Sequence, residues 1–139
     1  MSARTKARKR AIDILYVADV RQISIAESLA AEAERAVSET ARQASWLYAR
    51  EIVDGIVDHR EEIDELIETY SQGWTLSRMP IIDRAILRIG IWEILYNDAV
   101  PHAVAIDEAV EAAKVLSTDD SAGFVNGLLG RIAQTAPSA

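Results

Sequence analysis

The 139-residue sequence contains no cysteine, so it forms no disulfide and offers no thiolate to a metal ion or a redox reaction. Its two histidines have no partner at the spacing of a zinc site. The glycine-rich GxGxxG and GxxxxGK[ST] phosphate loops are missing as well. No apolar run approaches the roughly 18 residues of a membrane-spanning helix. We therefore expect no metal, no cofactor, no membrane association and a cytoplasmic location.

Proline and glycine are scarce, with three and six residues, and the strict apolar–polar alternation of strands is nearly absent. The apolar residues instead recur at helical spacing, which predicts an all-α bundle of six or seven helices. The predicted helices cover about 6–22, 24–36, 41–59, 60–72, 80–96 and 103–116, with a seventh after a loop at 119–121. We expect one domain, 1–139, built from helical halves at about 6–59 and 60–134, with a disordered tail at 135–139.

Individual residues refine this prediction. The fifth helix is apolar on most sides and should be the central buried helix. The apolar stripe of the third helix should include Leu47 with three β-branched residues. Gly127 and Gly130 should let a neighbouring helix approach closely, and Asn126 should be a buried hydrogen-bonding residue. Trp74, beside a glycine in a connector, is the tryptophan that we expect to be exposed.

Charge is distributed unevenly along the chain. Five of the seven residues from Arg4 to Arg10 are basic, and removing them from the 15 Lys and Arg residues leaves 10 against 22 Asp and Glu residues. A cationic start on an anionic body suggests two partners: a nucleic acid whose phosphates bind the start, and a basic protein that binds the body. A solvated N-terminus without a ligand is the alternative reading of the same residues.

An ordered series of motifs follows in the second half of the chain: IDRAILRI (82–89), WEI (92–94), VP (100–101), VAIDEAV (104–110), AK (113–114), DS (120–121) and FVNGLL (124–129). Ala7-Arg8, Ala11 and Leu15-Tyr16 agree at the N-terminus. This series strongly resembles the NusB family of bacterial transcription antitermination factors, and the resemblance covers nearly the whole chain.

The resemblance implies an all-α fold and a protein that is not an enzyme and has no catalytic residue. It implies binding, together with the small-subunit ribosomal protein NusE, to the boxA element of ribosomal-RNA leader transcripts, within a complex of other Nus factors and RNA polymerase. The RNA-binding residues carried over are Arg4, Lys6, Arg8, Lys9, Arg10, Tyr16, Tyr70, Arg78, Asp120, Ser121 and Phe124. The resemblance also implies that Leu76 and Asp83 lie on the side of the protein that contacts NusE.

Two alternatives remain at this point. One is a homo-oligomeric helical scaffold, such as a homodimer, in which the RNA site is masked. The other is a targeting domain related to those of ribosomal-RNA methyltransferases, which also carry a NusB-like domain. Under the leading interpretation, replacing Arg8 and Arg10 by alanine should weaken RNA binding and leave the melting temperature unchanged.

Overall fold

Seven α-helices, with a 3₁₀ helix between the fourth and fifth, are present in residues 2–39 and 42–136, the part of the chain that this computed structural model describes. No strand occurs within these residues, so the predicted all-α fold is confirmed. The α-helices are α1 (Ala3–Arg21), α2 (Ile25–Ala36), α3 (Gln43–Asp58), α4 (Arg60–Tyr70), α5 (Ile81–Tyr96), α6 (His102–Leu116) and α7 (Asp119–Thr135), and the 3₁₀ helix is Leu76–Arg78.

Helix α5 is the central element. Every residue from Ala85 to Ile94 is buried, which confirms the prediction made from its all-round apolar character. The helix packs against five others: α1, α3, α4, α6 and α7. The buried residues of the two predicted halves belong to one hydrophobic cluster.

Side-chain caps determine where the first helices begin. The hydroxyl of Ser2 accepts a hydrogen bond from the backbone N–H of Thr5 at 3.1 Å, so α1 begins at Ala3, three residues earlier than predicted. The basic residues consequently lie in the first two turns of the helix. Ser24 caps α2 in the predicted way, by accepting from the N–H of Glu27 at 3.0 Å.

The cap of α7 differs from the prediction. Thr118 is the N-cap, because its hydroxyl accepts from the N–H of Ser121 at 3.0 Å. Asp119, Asp120 and Ser121 are therefore the first turn of the helix and not a loop. At the other end α7 includes Thr135, so the predicted tail begins inside a helix, and residues 137–139 lie outside the described residues.

Two further boundaries shift by one or two residues. Helix α4 ends at Tyr70 and not at residue 72, because the backbone of Gln72 and Gly73 adopts positive φ angles of 56° and 95°. Helix α5 begins at Ile81, and Pro80 occupies the N-cap position and not the first helical one. The predicted start of α3 at residue 41 lies outside the described residues.

The predicted close approach at the glycines of α7 is wrong. A methyl group added to Gly130 would meet no atom within 4 Å, and one added to Gly127 would reach only the Arg131 guanidinium at 3.5 Å. Asn126 is exposed and not buried. Leu47 is likewise 55% exposed, because α3 turns the face carrying Trp46 toward the core. The spacing of apolar residues along a helix did not show which residues at the border of its apolar face contact another helix.

The close helix contacts lie at two other glycines. A Cβ on Gly55 of α3 would stand 1.9 Å from Nε1 of Trp92, and a Cβ on Gly90 of α5 would stand 2.7 Å from Cδ1 of Leu129. Any side chain at either position would collide with α5 or α7. None of the helices in residues 2–39 and 42–136 has the length and apolar character needed to cross a lipid bilayer.

Candidate nucleic-acid interface

One face of α1 is exposed along its whole length. Lys6, Lys9, Asp13, Tyr16 and Val20 follow one another at intervals of three and four residues, and all five are exposed. The opposite face packs into the core through small and apolar residues. Three of the predicted RNA-binding residues, Lys6, Lys9 and Tyr16, therefore lie in a row on the surface.

Arg8 belongs to the interior. Its Nε donates to both carboxylate oxygens of Glu93, at 2.9 and 3.1 Å, and an Nη lies 3.3 Å from Glu108. The Arg8 side chain is 8% exposed and that of Glu93 is 1% exposed. Burial acts against the charged form of Arg8, but the hydrogen bond and charge of Glu93, with help from Glu108, outweigh it and raise its pKa.

Tyr48 completes this buried network. Its hydroxyl donates to Glu93 and accepts from the side-chain amide of Asn97 at 3.0 Å. Burial and then the Glu93 carboxylate raise the pKa of Tyr48 above its ordinary value. The guanidinium of Arg4 covers the outer face of the ring, 4.9 Å from its centroid, and remains exposed.

Arg10 is also paired with carboxylates. One Nη lies 3.1 Å from Glu32 and 3.2 Å from Glu39, while the guanidinium stands 5.5 Å from the ring of Trp46. Its charge is therefore compensated inside the protein. The expectation that loss of Arg8 and Arg10 leaves the melting temperature unchanged conflicts with these contacts, because removing Arg8 strands a buried carboxylate.

A groove of about 430 Å³ lies between α1 and the start of α3, and we call it the basic groove. It is lined by Ala3, Lys6, Lys9, Arg10, Asp13, Arg42, Ala44 and Ser45. Lys6, Lys9 and Arg42 are exposed, and among the described residues none of them has a carboxylate oxygen within ion-pair distance. Loss of hydration raises the pKa of Asp13, and the nearby Lys9 opposes that shift.

A second groove, of about 180 Å³, separates α1 from α6. Lys9 and Ile12 line its α1 wall, and Ala112, Val115 and Leu116 line its α6 wall, with Glu108 and Glu111 at the rim. Tyr16 lies one helical turn beyond Ile12 on the same side of α1 and is 41% exposed. Lys9 lines both this groove and the basic groove.

A third depression, of about 340 Å³, lies where the starts of α5 and α7 meet, and we call it the Asp83 pocket. Its lining residues are Trp74, Met79, Pro80, Asp83, Thr118, Asp120, Ser121 and Phe124. The Ser121 hydroxyl donates to Oδ2 of Asp83 at 2.7 Å, and the buried Oδ1 of Asp83 has no hydrogen-bond partner in the described structure. The Trp74 ring, 55% exposed, lies 6.2 Å from that of Phe124.

Comparison with known proteins identifies the relationship. The family model described as the NusB family matches residues 5–134. The chain is 76% identical over 137 residues to the transcription antitermination protein NusB of Leifsonia xyli subsp. xyli, an alignment that covers 99% of this chain and 95% of that protein. The chain belongs to the NusB family.

Solved NusB structures share the fold. A structure described as T. maritima NusB superposes with a TM-score of 0.85 at 34% identity, covering 96% of this chain and 92% of that one. A crystal structure of the antitermination factors NusB and NusE in complex with dsRNA superposes with a TM-score of 0.83 at 27% identity, covering 97% and 98%.

The residues predicted from the NusB resemblance that lie outside α1 fall into three groups. Asp83, Asp120, Ser121 and Phe124 come together in the Asp83 pocket, although Asp83 was expected on the partner side. Tyr70 packs partly against the core, and its carbonyl oxygen accepts from Arg131 at 2.8 Å. Leu76 and Arg78 lie on the 3₁₀ helix, where Leu76 is partly buried and Arg78 is exposed.

Sequence reasoning missed Arg42. The residue lies more than thirty positions after the basic segment, and its neighbours in sequence carry no basic run. Only the packing of α3 against α1 brings it to Lys6 and Lys9. Trp74 was predicted to be exposed, which is confirmed, but its place beside Phe124 was not foreseen. Within the described ranges, no cluster of three or more His, Asp or Glu side chains could hold a metal ion.

Proposed function

We propose that this protein is a non-enzymatic, RNA-binding transcription antitermination factor that binds boxA leader RNA of ribosomal-RNA operons together with NusE. We expect it to act in the cytoplasm, on nascent transcripts, in a complex with other Nus factors and RNA polymerase. Family membership supports the antitermination role. The solved NusB–NusE–dsRNA complex, whose NusB fold matches this one, supports both macromolecular partners.

The observation that carries the proposal is a series of three neighbouring depressions, which we call the track. Lys9 lines both the basic groove and the groove between α1 and α6. Leu116 lines the second groove and Thr118 lines the Asp83 pocket, and two residues span at most about 7 Å of chain. A single strand of RNA can follow this track from free cations to aromatic and carboxylate groups.

Each part of the track suits a different part of a nucleotide. Lys6 and Lys9, with Arg4 beside them, offer exposed charges to phosphates. Tyr16 and Trp74 present exposed aromatic faces on which bases can stack. Arg8 and Arg10 contribute indirectly, because their internal ion pairs hold α1 in place.

The Asp83 pocket is the part suited to reading a base. The exposed carboxylate of Asp120 accepts hydrogen bonds, and it therefore favours base edges that carry amino or imino donors. Ser121 orients the Asp83 carboxylate. Tyr70 and Arg78 remain proposed contacts that lie outside the lining of this pocket.

The NusE contact is proposed for the acidic body, whose charge complements a basic ribosomal protein. Leu76, exposed in part on the 3₁₀ helix, is the direct contact that we expect there. Because Asp83 is only 4% exposed, we expect it to act on NusE through the shape of the pocket and not by direct contact.

Binding of labelled boxA RNA, with and without NusE, tests the proposal against a scrambled RNA of equal length. We expect tighter binding to boxA and a larger difference when NusE is present. Lys9→Ala should weaken binding of both RNAs. The matched control is Lys114→Ala, because Lys114 is an exposed lysine at the end of α6. Equal weak binding of both RNAs regardless of NusE contradicts the proposal.

A further inference from the structure

The basic groove contains a cation that does not come from the N-terminal segment. Arg42 precedes the first turn of α3, and it faces Lys6 and Lys9 of α1 across a space of about 430 Å³. Among the described residues these three side chains have no carboxylate within ion-pair distance, whereas Arg8 and Arg10 are both paired. Three cations without an ion-pair partner among the described residues therefore line one groove, and they come from two separate parts of the chain.

We propose that the basic groove is a subsite for the backbone phosphates of single-stranded RNA and that Arg42 supplies it with a cation from outside the basic segment. The inference rests on the proposed RNA-binding function and extends it across α1, to the side away from the Asp83 pocket. It adds a contact on α3 to a site otherwise built from α1, α5 and α7.

The residues that line the basic groove favour the phosphates of RNA over its bases. Ala3, Ala44 and Ser45 provide small walls, no aromatic residue is among the described residues that line the groove, and Trp46 is buried beneath Arg10. A base would find no exposed ring on which to stack there. A guanidinium and two ammonium groups instead match the charge and the hydrogen-bond acceptors of phosphate oxygens.

The negative charges around the groove leave it cationic. Glu32 and Glu39 are engaged by Arg10, which they neutralise. Asp13 is the single carboxylate among the lining residues, and its raised pKa reflects the cost of keeping it charged there. The first turn of α3 contains no acidic residue that would repel an anion.

Arg42→Gln in the full-length protein tests the inference, and Arg50→Gln is its control. Arg50 is also an exposed arginine of the same region, but it pairs with Asp54 on the outer face of α3. We expect Arg42→Gln to weaken binding of boxA and scrambled RNA by the same factor, about fivefold. The salt slope of log affinity should become shallower by about 0.7, with an unchanged melting temperature.

The outcomes separate the inference from the proposed function. If wild-type protein prefers boxA and Arg42→Gln behaves like Arg50→Gln, the phosphate subsite is overturned and the proposed function stands. If wild-type protein does not prefer boxA, the proposed function fails. The subsite is then tested with scrambled RNA: weaker binding by Arg42→Gln but not by Arg50→Gln supports it, and equal binding by the two variants overturns it. Titration with inorganic phosphate at constant ionic strength shows whether the groove binds free phosphate or the phosphates of RNA. If Arg42→Gln loses binding of inorganic phosphate but keeps the RNA affinity of the wild type, the inference is also overturned.

Discussion

Replacing Arg8 by methionine should destabilise the protein far more than replacing any exposed cation of α1. Methionine fills a similar volume, so the change removes the charge and the hydrogen bonds without opening a large cavity. It leaves Glu93, 1% exposed, without the guanidinium that compensates its charge. Breaking a buried ion pair from one side costs about 3–5 kcal/mol of unfolding free energy.

The remaining contacts of Glu93 place the expected loss at the lower end of that range. The Tyr48 hydroxyl still donates to the carboxylate, so one of its hydrogen bonds survives. A loss of about 3 kcal/mol lowers the melting temperature of a domain of this size by roughly 10 °C. Adding Glu93→Gln to Arg8→Met removes the stranded charge and should recover part of the loss.

Thermal and urea unfolding measure the effect, with Arg4→Met as the control. Arg4 lies one turn earlier on α1 and is exposed, and its guanidinium lies 4.9 Å from the centroid of the Tyr48 ring, so its loss should cost no more than about 1 kcal/mol. If Arg8→Met and Arg4→Met unfold at the same temperature, or if Glu93→Gln gives no recovery in the double variant, the reasoning about the buried pair is refuted.

Three other predictions follow from the same geometry. Asp13→Asn removes the one carboxylate lining the basic groove, so RNA should bind about threefold more tightly; equal affinity in a filter-binding titration would contradict this. Gly55→Ala should lose about 1–3 kcal/mol of stability in urea, because its methyl group collides with Trp92, while Gly123→Ala, with open space around it, should gain up to about 1 kcal/mol. Since the pKa of Tyr48 is raised in the folded state, stability should hold below pH of about 10 and fall above it, as the unfolded tyrosine ionises first. Tyr48→Phe should show a shallower fall in the same alkaline melts, and an unchanged slope would argue against the shift.

The buried network connects stability to the surface that α1 exposes. Glu93 belongs to α5, the central helix, and through Arg8 it fixes the rotation of α1 about its own axis. That rotation places Lys6, Lys9 and Tyr16 on the exposed face. One arginine of the basic segment thus acts as a positioning residue for its neighbours, although its residue type alone predicts a phosphate contact.

Much of the fold was predictable because it depends on local patterns. Apolar residues at helical spacing predicted the helices, and a helix apolar on all sides, α5, predicted the centre of the core. The boundaries that were wrong depend on single side chains: Ser2 and Thr118 accept the hydrogen bonds that begin α1 and α7. A cap three residues away from the expected one moves the helix start without changing the apolar pattern.

The sequence by itself determined the helical class, the charge asymmetry and the membership of the NusB family, because composition, periodicity and ordered motifs are properties of the chain before it folds. Only the tertiary structure decided which charges are free. Arg8 and Lys9 are neighbours in sequence, yet one is buried against Glu93 and the other is exposed. Arg42 joins Lys6 and Lys9 solely through the packing of α3 on α1. Burial and distance in space determine the free energy needed to keep a group charged and whether that group can bind a ligand. Neither can be read from the order of residues in the chain.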